Sequence, residues 1–318
     1  MSRDNLRMVA DVGGTNTRIA LFDESSGEFQ ALQTYTNREY ARFPDLVLTW
    51  MDDLAVRPER GCIAIASPLD GDQVQMVNMD WSFSRRAFAE ETGLATLGWI
   101  NDFVGNAYAL PHLAVADRVE LHPGGDGLVK KLAAVGPGTG LGGATVQEMA
   151  GQWLATACEP GHAGLSPGSL EELAVFEALL GEFDNIYAEL LVSGPGLLRL
   201  YRTLAAVRDA TGSATTPAEV SSAALEQREP LAVDALSMFC GLLGSVCGDF
   251  VLSGGAYGGL YLAGGIVPRM IPFLDDSSFH ARFCNKGALT PVLEQVPVYS
   301  ITAEQPGLLG AAYAPIGR

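Results

Sequence analysis

The sequence predicts an α/β protein in two halves, each built on a partly antiparallel sheet, and three observations carry that reading. Apolar runs of strand length alternate with stretches of helical spacing along the chain. Clustered glycines fall at the ends of those runs rather than inside them. A strand, a glycine turn and a returning strand occur at Val9 to Ala20 and again at Ala133 to Val146.

The elements follow in order. Leu6 to Val12 is a short apolar run closed by Gly13-Gly14, Thr17 to Phe22 is closed by Asp23 to Gly27, and Phe29 to Tyr35 completes a meander. Tyr40, Phe43, Val47, Met51 and Leu54 predict a helix over Arg38 to Ala55. Cys62 to Ala66 reads as a buried strand and Val74 to Met79 as another. Ser82 or Ser84 caps a helix reaching Thr92. Leu97 to Ile100 is a strand, and Asn101-Asp102 opens a helix ended by Pro111, near which a boundary is placed. In the second half, Leu132 to Gly136 and Ala144 to Glu148 are strands around a glycine turn. Ser169 to Leu180, Gly196 to Arg208, Pro217 to Gln227 and Leu231 to Leu252 read as helices. Leu260 to Ala263 is a strand, Val267 to Leu274 a helix, Pro297 to Ile301 a strand and Pro306 to Ala314 a closing helix.

At 318 residues the chain has room for two domains. Its 20 basic and 37 acidic residues leave a net charge of −17, which argues against nucleic acid and anionic membranes as partners and suits a cytoplasmic protein. An anionic ligand then needs local positive potential from backbone amides, helix N-termini or Mg²⁺. The five cysteines are odd in number and form no CxxC pair, so neither a disulfide framework nor a thiolate zinc site is indicated. No signal peptide is read before the first strand. The charge-free stretch Phe250 to Pro268 is broken by six glycines, and reads as helix end, turn and buried strand rather than a membrane span.

Five motifs carry chemistry. In DVGGTNTR (Asp11 to Arg18) the adjacent Gly13 and Gly14 let backbone N–H groups approach an anion, Thr15 and Asn16 add donors, and Asp11 at a strand end suits a hydrated Mg²⁺. GPGTGLGG (Gly136 to Gly143) offers a second anion-cradling turn at Gly138, Thr139 and Gly140. LAGGIVP (Leu262 to Pro268) runs a strand into Gly264-Gly265, where a flat ligand can lie against backbone. In GWINDFVGNA, Asp102 stands where a strand meets a helix, placed to accept a proton from a hydroxyl, although Asn101 or Asp102 serves equally well as a helix cap. In EPGHAG, Glu159 and His162 flank a Pro-Gly turn and match vicinal hydroxyls. Each motif alone also suits ordinary turn chemistry; two glycine hairpins, one in each half, are harder to read that way.

Together, in this order, DVGGTNTR, GPGTGLGG and LAGGIVP resemble the phosphate-1, phosphate-2 and adenosine signatures of the superfamily of sugar kinases, actin and heat-shock ATPases. AIASPLDGD, INDFVGNAYALP, EPGHAG and AELLVSGPGLLRLYR narrow the resemblance, over essentially the full chain, to the bacterial ATP-dependent glucokinases. HAGLSPGSLEEL lacks the cysteines of the zinc loop in the repressor-kinase group, and VNMDW has Val77 before Asn78 where a Thr-Asn pattern is usual.

The resemblance implies two RNase-H-like (actin-like ATPase) domains, residues 1–111 plus 301–318 and residues 112–300, with a ligand cleft between them. It implies a glucokinase that moves a phosphoryl group from Mg²⁺-ATP to the 6-hydroxyl of glucose, the first step of glycolysis, with Asp102 as general base. Asn78, Asn101, Asp102, Glu159, His162 and Glu189 would hold the sugar. Asp11, through water, would order the Mg²⁺, with Gly13, Gly14, Thr15, Asn16, Gly138, Thr139, Gly140, Gly264 and Gly265 along the nucleotide. A homodimer is implied by resemblance alone.

Overall fold

In a computed structural model, residues 5–76, 79–125 and 130–317 are described. The chain forms two compact units: Met1–Leu113 with Trp153–Ala155 and Ala303–Arg318, and Ala114–Gln152 with Thr156–Thr302.

The first unit begins with β1 (Leu6–Val12), β2 (Asn16–Asp23) and β3 (Glu28–Thr36), an antiparallel meander. Then come α1 (Phe43–Asp52), β4 (Arg60–Ile65), a small ribbon of β5 (Gln73–Gln75) and β6 (Ser82–Ser84), α2 (Arg85–Thr92), β7 (Thr96–Asn101) and α3 (Asp102–Ala109). The sheet order is β3-β2-β1-β4-β7, with β1, β4 and β7 parallel. Asp11 pairs with Ala64 and Ile65 with Asn101, so the strand ends carrying Asp11 and Asn101 lie along one edge of the parallel run.

The second unit holds β8 (Arg118–His122), β9 (Lys131–Pro137), β10 (Leu141–Met149), β11 (Gln152–Cys158), α4 (Leu170–Leu180), α5 (Ala188–Leu191), α6 (Gly194–Val207), α7 (Pro217–Leu225) and α8 (Pro230–Gly254). It continues through β12 (Gly259–Leu262), α9 (Ile271–Asp275), α10 (Phe279–Cys284), α11 (Thr290–Leu293) and β13 (Val298–Ile301). Its sheet runs β11-β10-β9-β12-β13-β8; β9, β12 and β13 are parallel, and β8 is antiparallel to β13. Strand order from meander to parallel run is therefore the same in both sheets. The chain ends in α12 (Pro306–Tyr313), which belongs to the first unit.

The cores explain the elements. Phe43 is fully buried, stacks on Phe88 at 5.1 Å and packs against Trp81 and Phe83 at 5.6 Å; each such ring contributes roughly 1.5–3 kcal/mol by leaving water. The 25-residue α8 is apolar over most of its surface because most of it is covered, with the charged Asp249 left exposed. It is long and apolar enough to cross a membrane, but 78% of its most apolar stretch is buried inside the protein, as in a core helix. In the first unit α3 and α12 cross at glycines. A Cβ on Gly310 would overlap the carbonyl of Gly105, so neither helix tolerates bulk there.

Several boundaries differ from the sequence reading for local reasons. The helix predicted from Arg38 starts at Phe43, because Pro44 favours the first helical turn and Asn37–Glu39 is a separate 3₁₀ turn. The helix predicted over Val267 to Leu274 is a 3₁₀ turn, Val267–Met270, followed by α9, with a proline in the first turn of each. Of the candidate strand at Val74 to Met79 only Val74 and Gln75 lie in β5, which pairs with the unpredicted β6, and residues 77–78 lie outside the described residues; Ser84 is the cap of α2, accepting from Ala87 N–H. Strands β8 and β11 went unread because they are sheet edges with mostly half-exposed or exposed residues, which leaves only a weak apolar pattern.

Candidate active site

The turn between β1 and β2 is built around one buried polar residue. Asn37 is fully buried; its side-chain amide donates to Gly13 O at 2.8 Å, its backbone N–H donates to Thr15 O at 2.9 Å, and Thr17 Oγ1 donates to its Oδ1 at 2.8 Å. Holding the Gly13 and Thr15 carbonyls inward turns the N–H groups of the same trans peptides, those of Gly14 and Asn16, the other way. Gly13 N–H is spent on Asn16 O at 3.1 Å, so an anion here would meet Gly14, Thr15 and Asn16. Gly14 and Thr15 are exposed and Asn16 is half-buried. Sequence reasoning did not find Asn37, whose only signal was a polar residue inside a run next to the meander.

Asp11 and Asp102 stand at the C-terminal ends of β1 and β7, the usual ligand edge of a parallel run. The side chain of Asp11 is 19% exposed and 3.7 Å from Arg18 Nη1. Burial raises its pKa to about 6; Arg18 lowers it and Asp102 raises it further. A Cβ on Gly307 would lie 2.9 Å from the Asp11 carboxylate, so α12 approaches the acid as closely as backbone can. An acid raised this way gains from a nearby cation, and the fit is to a hydrated Mg²⁺ touched through water. Among the described residues no group of three or more His, Cys, Asp or Glu is placed to hold a metal ion.

Asn101 caps α3: its Oδ1 accepts from Val104 N–H at 2.6 Å, leaving its amide NH₂ as the group available to a ligand. Asp102, the first residue of α3, accepts from Phe103 N–H at 3.0 Å. The helix N-terminus favours an acidic side chain there. The capping reading of this motif holds on Asn101.

In the second unit, the turn between β9 and β10 has the same device. Gly138 O accepts from Gly194 N–H at 2.8 Å, at the start of α6 and next to its cap Ser193. Gly138 N–H is spent on Gly140 O at 2.7 Å, and no backbone acceptor is found for the N–H of Thr139 or Gly140 among the described residues. The glycines divide into two kinds. A Cβ on Gly140 would lie 2.5 Å from Glu189 Oε2 and push that carboxylate aside; at Gly264 the backbone itself requires glycine, with φ +88° and Pro137 O at 3.0 Å from a Cβ. Gly138 and Gly265 have neither a positive φ nor any atom within 4 Å of a Cβ, so the protein alone does not demand glycine at either.

Glu159 and His162 flank the predicted turn, a 3₁₀ turn over Pro160–His162, and both are exposed. The His162 ring stacks on Tyr187, with centroids at 5.6 Å and planes at 6°. The loop is zipped to the following chain by Ala188 N–H to Ala163 O at 2.9 Å and Leu165 N–H to Ile186 O at 3.0 Å. Glu189, in the first turn of α5, sends Oε2 to Leu141 N–H at 2.8 Å. Gly161 fits between Leu141 and Glu189, where a Cβ would overlap the Leu141 carbonyl. Within this unit the structure thus joins Glu189 to the β9–β10 turn and His162 to Tyr187. Asn78 lies outside the described residues.

The two sheets share one strand order and carry matching glycine turns, with acids where strands end in the first unit. The family model for glucokinase matches residues 8–315. A glucokinase of Psychromonas ingrahamii is 40% identical over 304 residues, covering 96% of this chain and 95% of the relative. The crystal structure of a glucokinase from an Antarctic psychrotroph superposes with a TM-score of 0.89 at 33% identity, covering 97% and 98% of the two chains. The same fold extends at 19% identity and TM-score 0.61 to a ROK family glucokinase of Streptomyces griseus solved with glucose and AMPPNP, covering 96% of this chain and 98% of that one. The chain belongs to the glucokinase family.

Proposed function

We propose that this protein transfers the γ-phosphoryl group of Mg²⁺-ATP to the 6-hydroxyl of D-glucose, giving glucose 6-phosphate and ADP. The observation that carries the reading is the freedom at Gly138 and Gly265. Both are glycines the fold does not need, in the two motifs where a nucleotide would touch backbone, so their missing side chains make room for a ligand.

The chemistry asks for alignment and charge neutralisation more than for covalent help. The N–H groups of Gly14, Thr15, Thr139 and Gly140 donate to phosphate oxygens; Gly13 and Gly138, whose own N–H groups are engaged, contribute close approach instead. Gly264 and Gly265 lie along the adenosine. Asn16 adds a side-chain donor. Asp11 would hold Mg²⁺ through water, and the cation would supply neutralisation of phosphate charge. Asn101, through its amide, and Asn78, Glu159, His162 and Glu189 hold the sugar hydroxyls, and Asp102 accepts the 6-hydroxyl proton as the oxygen attacks phosphorus in line. Family resemblance supports a cytoplasmic homodimer, which gel filtration with light scattering tests.

The test of the reaction is ADP release from Mg²⁺-ATP without sugar and with each of glucose, mannose, fructose and glucosamine. Strong stimulation by glucose alone is expected. Stimulation by another hexose alone would move the assignment to that sugar, and no stimulation by any would overturn it.

A further inference from the structure

Glu189 stands between two subsites of the reaction proposed above, and this inference rests on that proposal. Its backbone is joined to the sugar loop: Tyr187 bridges Gly164, Ala188 N–H donates to Ala163 O, and Gly161 has room for no side chain between Leu141 and Glu189 Cβ. Its carboxylate is joined to the phosphate turn: Oε2 accepts from Leu141 N–H at 2.8 Å, and a Cβ on Gly140 would lie 2.5 Å from the same oxygen. The segment it begins holds the other side of that turn. Ser193 Oγ donates to Glu189 O at 2.8 Å, and the neighbouring Gly194 N–H donates to Gly138 O at 2.8 Å. The half-buried carboxylate thus bears on the Gly140–Leu141 end of the turn, and the backbone that follows it bears on the Gly138 end.

Its charge matters as much as its reach. Oε2 sits against Gly140, whose N–H is one of the donors offered to phosphate. A carboxylate beside bound phosphates repels them, and in a partly desolvated turn that repulsion is several times its value in bulk water. A sugar hydroxyl donating to Oε1 satisfies that charge from the other side and relieves the repulsion.

We infer that Glu189 couples the two substrates: without sugar its carboxylate weakens nucleotide binding at the Gly138–Gly140 turn, and a bound sugar hydroxyl lifts that penalty. Glucose therefore tightens ATP binding, and ATP tightens glucose binding by the same factor, as linkage requires. Nucleotide then accumulates on the enzyme chiefly when an acceptor is present, which limits futile ATP hydrolysis.

Glu189→Gln separates charge from geometry, because the amide oxygen can still accept from Leu141 N–H. Calorimetric titration with Mg²⁺-AMPPNP, with and without saturating glucose, reads the coupling in wild type and variant. Wild type should bind AMPPNP about 5- to 150-fold more tightly with glucose, the usual range of such couplings. In Glu189→Gln the sugar-free affinity should rise severalfold and the ratio fall toward one. A thermal melt of the variant within a few degrees of wild type shows that the turn is intact; where the variant does not fold, the wild-type ratio alone decides. A wild-type ratio of one, or an unchanged ratio in Glu189→Gln, overturns the coupling while leaving the kinase assignment standing. Failure of wild type to bind glucose or AMPPNP overturns the assignment itself, and the coupling with it.

Discussion

Asp11 and Asp102 sit at the ends of two strands of one parallel run, with only β4 between them, and the charge of Asp102 is one of the causes that raise Asp11. Burial is the larger cause, and Arg18 at 3.7 Å offsets only part of it. Without a cation, the first unit therefore holds a carboxylate at a cost.

That cost has a sign that can be measured. The pKa of Asp11 is raised from 3.8 to about 6 by folding. The folded state then binds the proton more tightly than the unfolded state, so this residue's contribution to stability falls as pH rises from about 4 to about 6. Asp11→Asn, which keeps the size beside Gly307, should be more stable than wild type at pH 7.5, by on the order of 2–3 kcal/mol at most. The gain should shrink toward zero near pH 4. Thermal melts of both proteins across that range decide it: a difference that does not change with pH would mean that the acid is not held above its ordinary range. The same variant should need more Mg²⁺ for half-maximal turnover.

Asp102 bears on the chemical step. Asp102→Asn keeps an acceptor for Phe103 N–H, now 3.0 Å away, and so keeps the start of α3. It removes the base. Turnover should fall by about 10²–10⁴-fold, with a much smaller change in the glucose concentration for half-saturation. Turnover within threefold of wild type, measured by coupled ADP release, would remove Asp102 from the proton transfer.

The sequence displays what depends on local pattern and hides what depends on long-range contact. The glycine turns were visible because Gly13-Gly14 and Gly138 to Gly140 interrupt apolar runs, and Asp11, Asn101 and Asp102 because they end strands. The edge strand β8 was not, since its residues alternate too weakly to mark a buried face. Asn37 was not, because its partners Gly13, Thr15 and Thr17 lie some twenty residues earlier and come together only when β2 pairs with β3. The second role of Glu189 was hidden for the same reason: Leu141 is 48 residues away along the chain.

Asn37 offers a direct check on how the first turn is held. In Asn37→Asp, the carboxylate can no longer donate to Gly13 O and would face that carbonyl instead. Losing one buried hydrogen bond and leaving its acceptor unpaired costs about 1–3 kcal/mol. The melting temperature should drop accordingly. Among the surviving folded molecules the half-saturating ATP concentration should rise several times more than that for glucose. Equal increases for the two substrates, in steady-state kinetics below the melting transition, would show that Asn37 supports the unit in general rather than the turn.

Gly138 and Gly140 are two positions apart, yet substitution should fail at each in a different way. Gly138→Ala meets nothing within 4 Å and has no positive φ to strain, so the melting temperature should hold or rise slightly, since alanine at a compatible position typically adds about 0.4–1 kcal/mol. Its methyl would stand where phosphate approaches, and the half-saturating ATP concentration should rise by about tenfold or more, a loss of about 1.4 kcal/mol. Gly140→Ala places its methyl 2.5 Å from Glu189 Oε2 and drives the carboxylate off Leu141 N–H. Because the displaced group is the tip of a side chain, the protein should still fold, less stable by about 1.5–3 kcal/mol for the lost charged hydrogen bond. Melting curves beside ATP and glucose saturation curves separate the two. A Gly138→Ala protein with unaltered ATP dependence would mean that the open space at that glycine is not where the nucleotide lies.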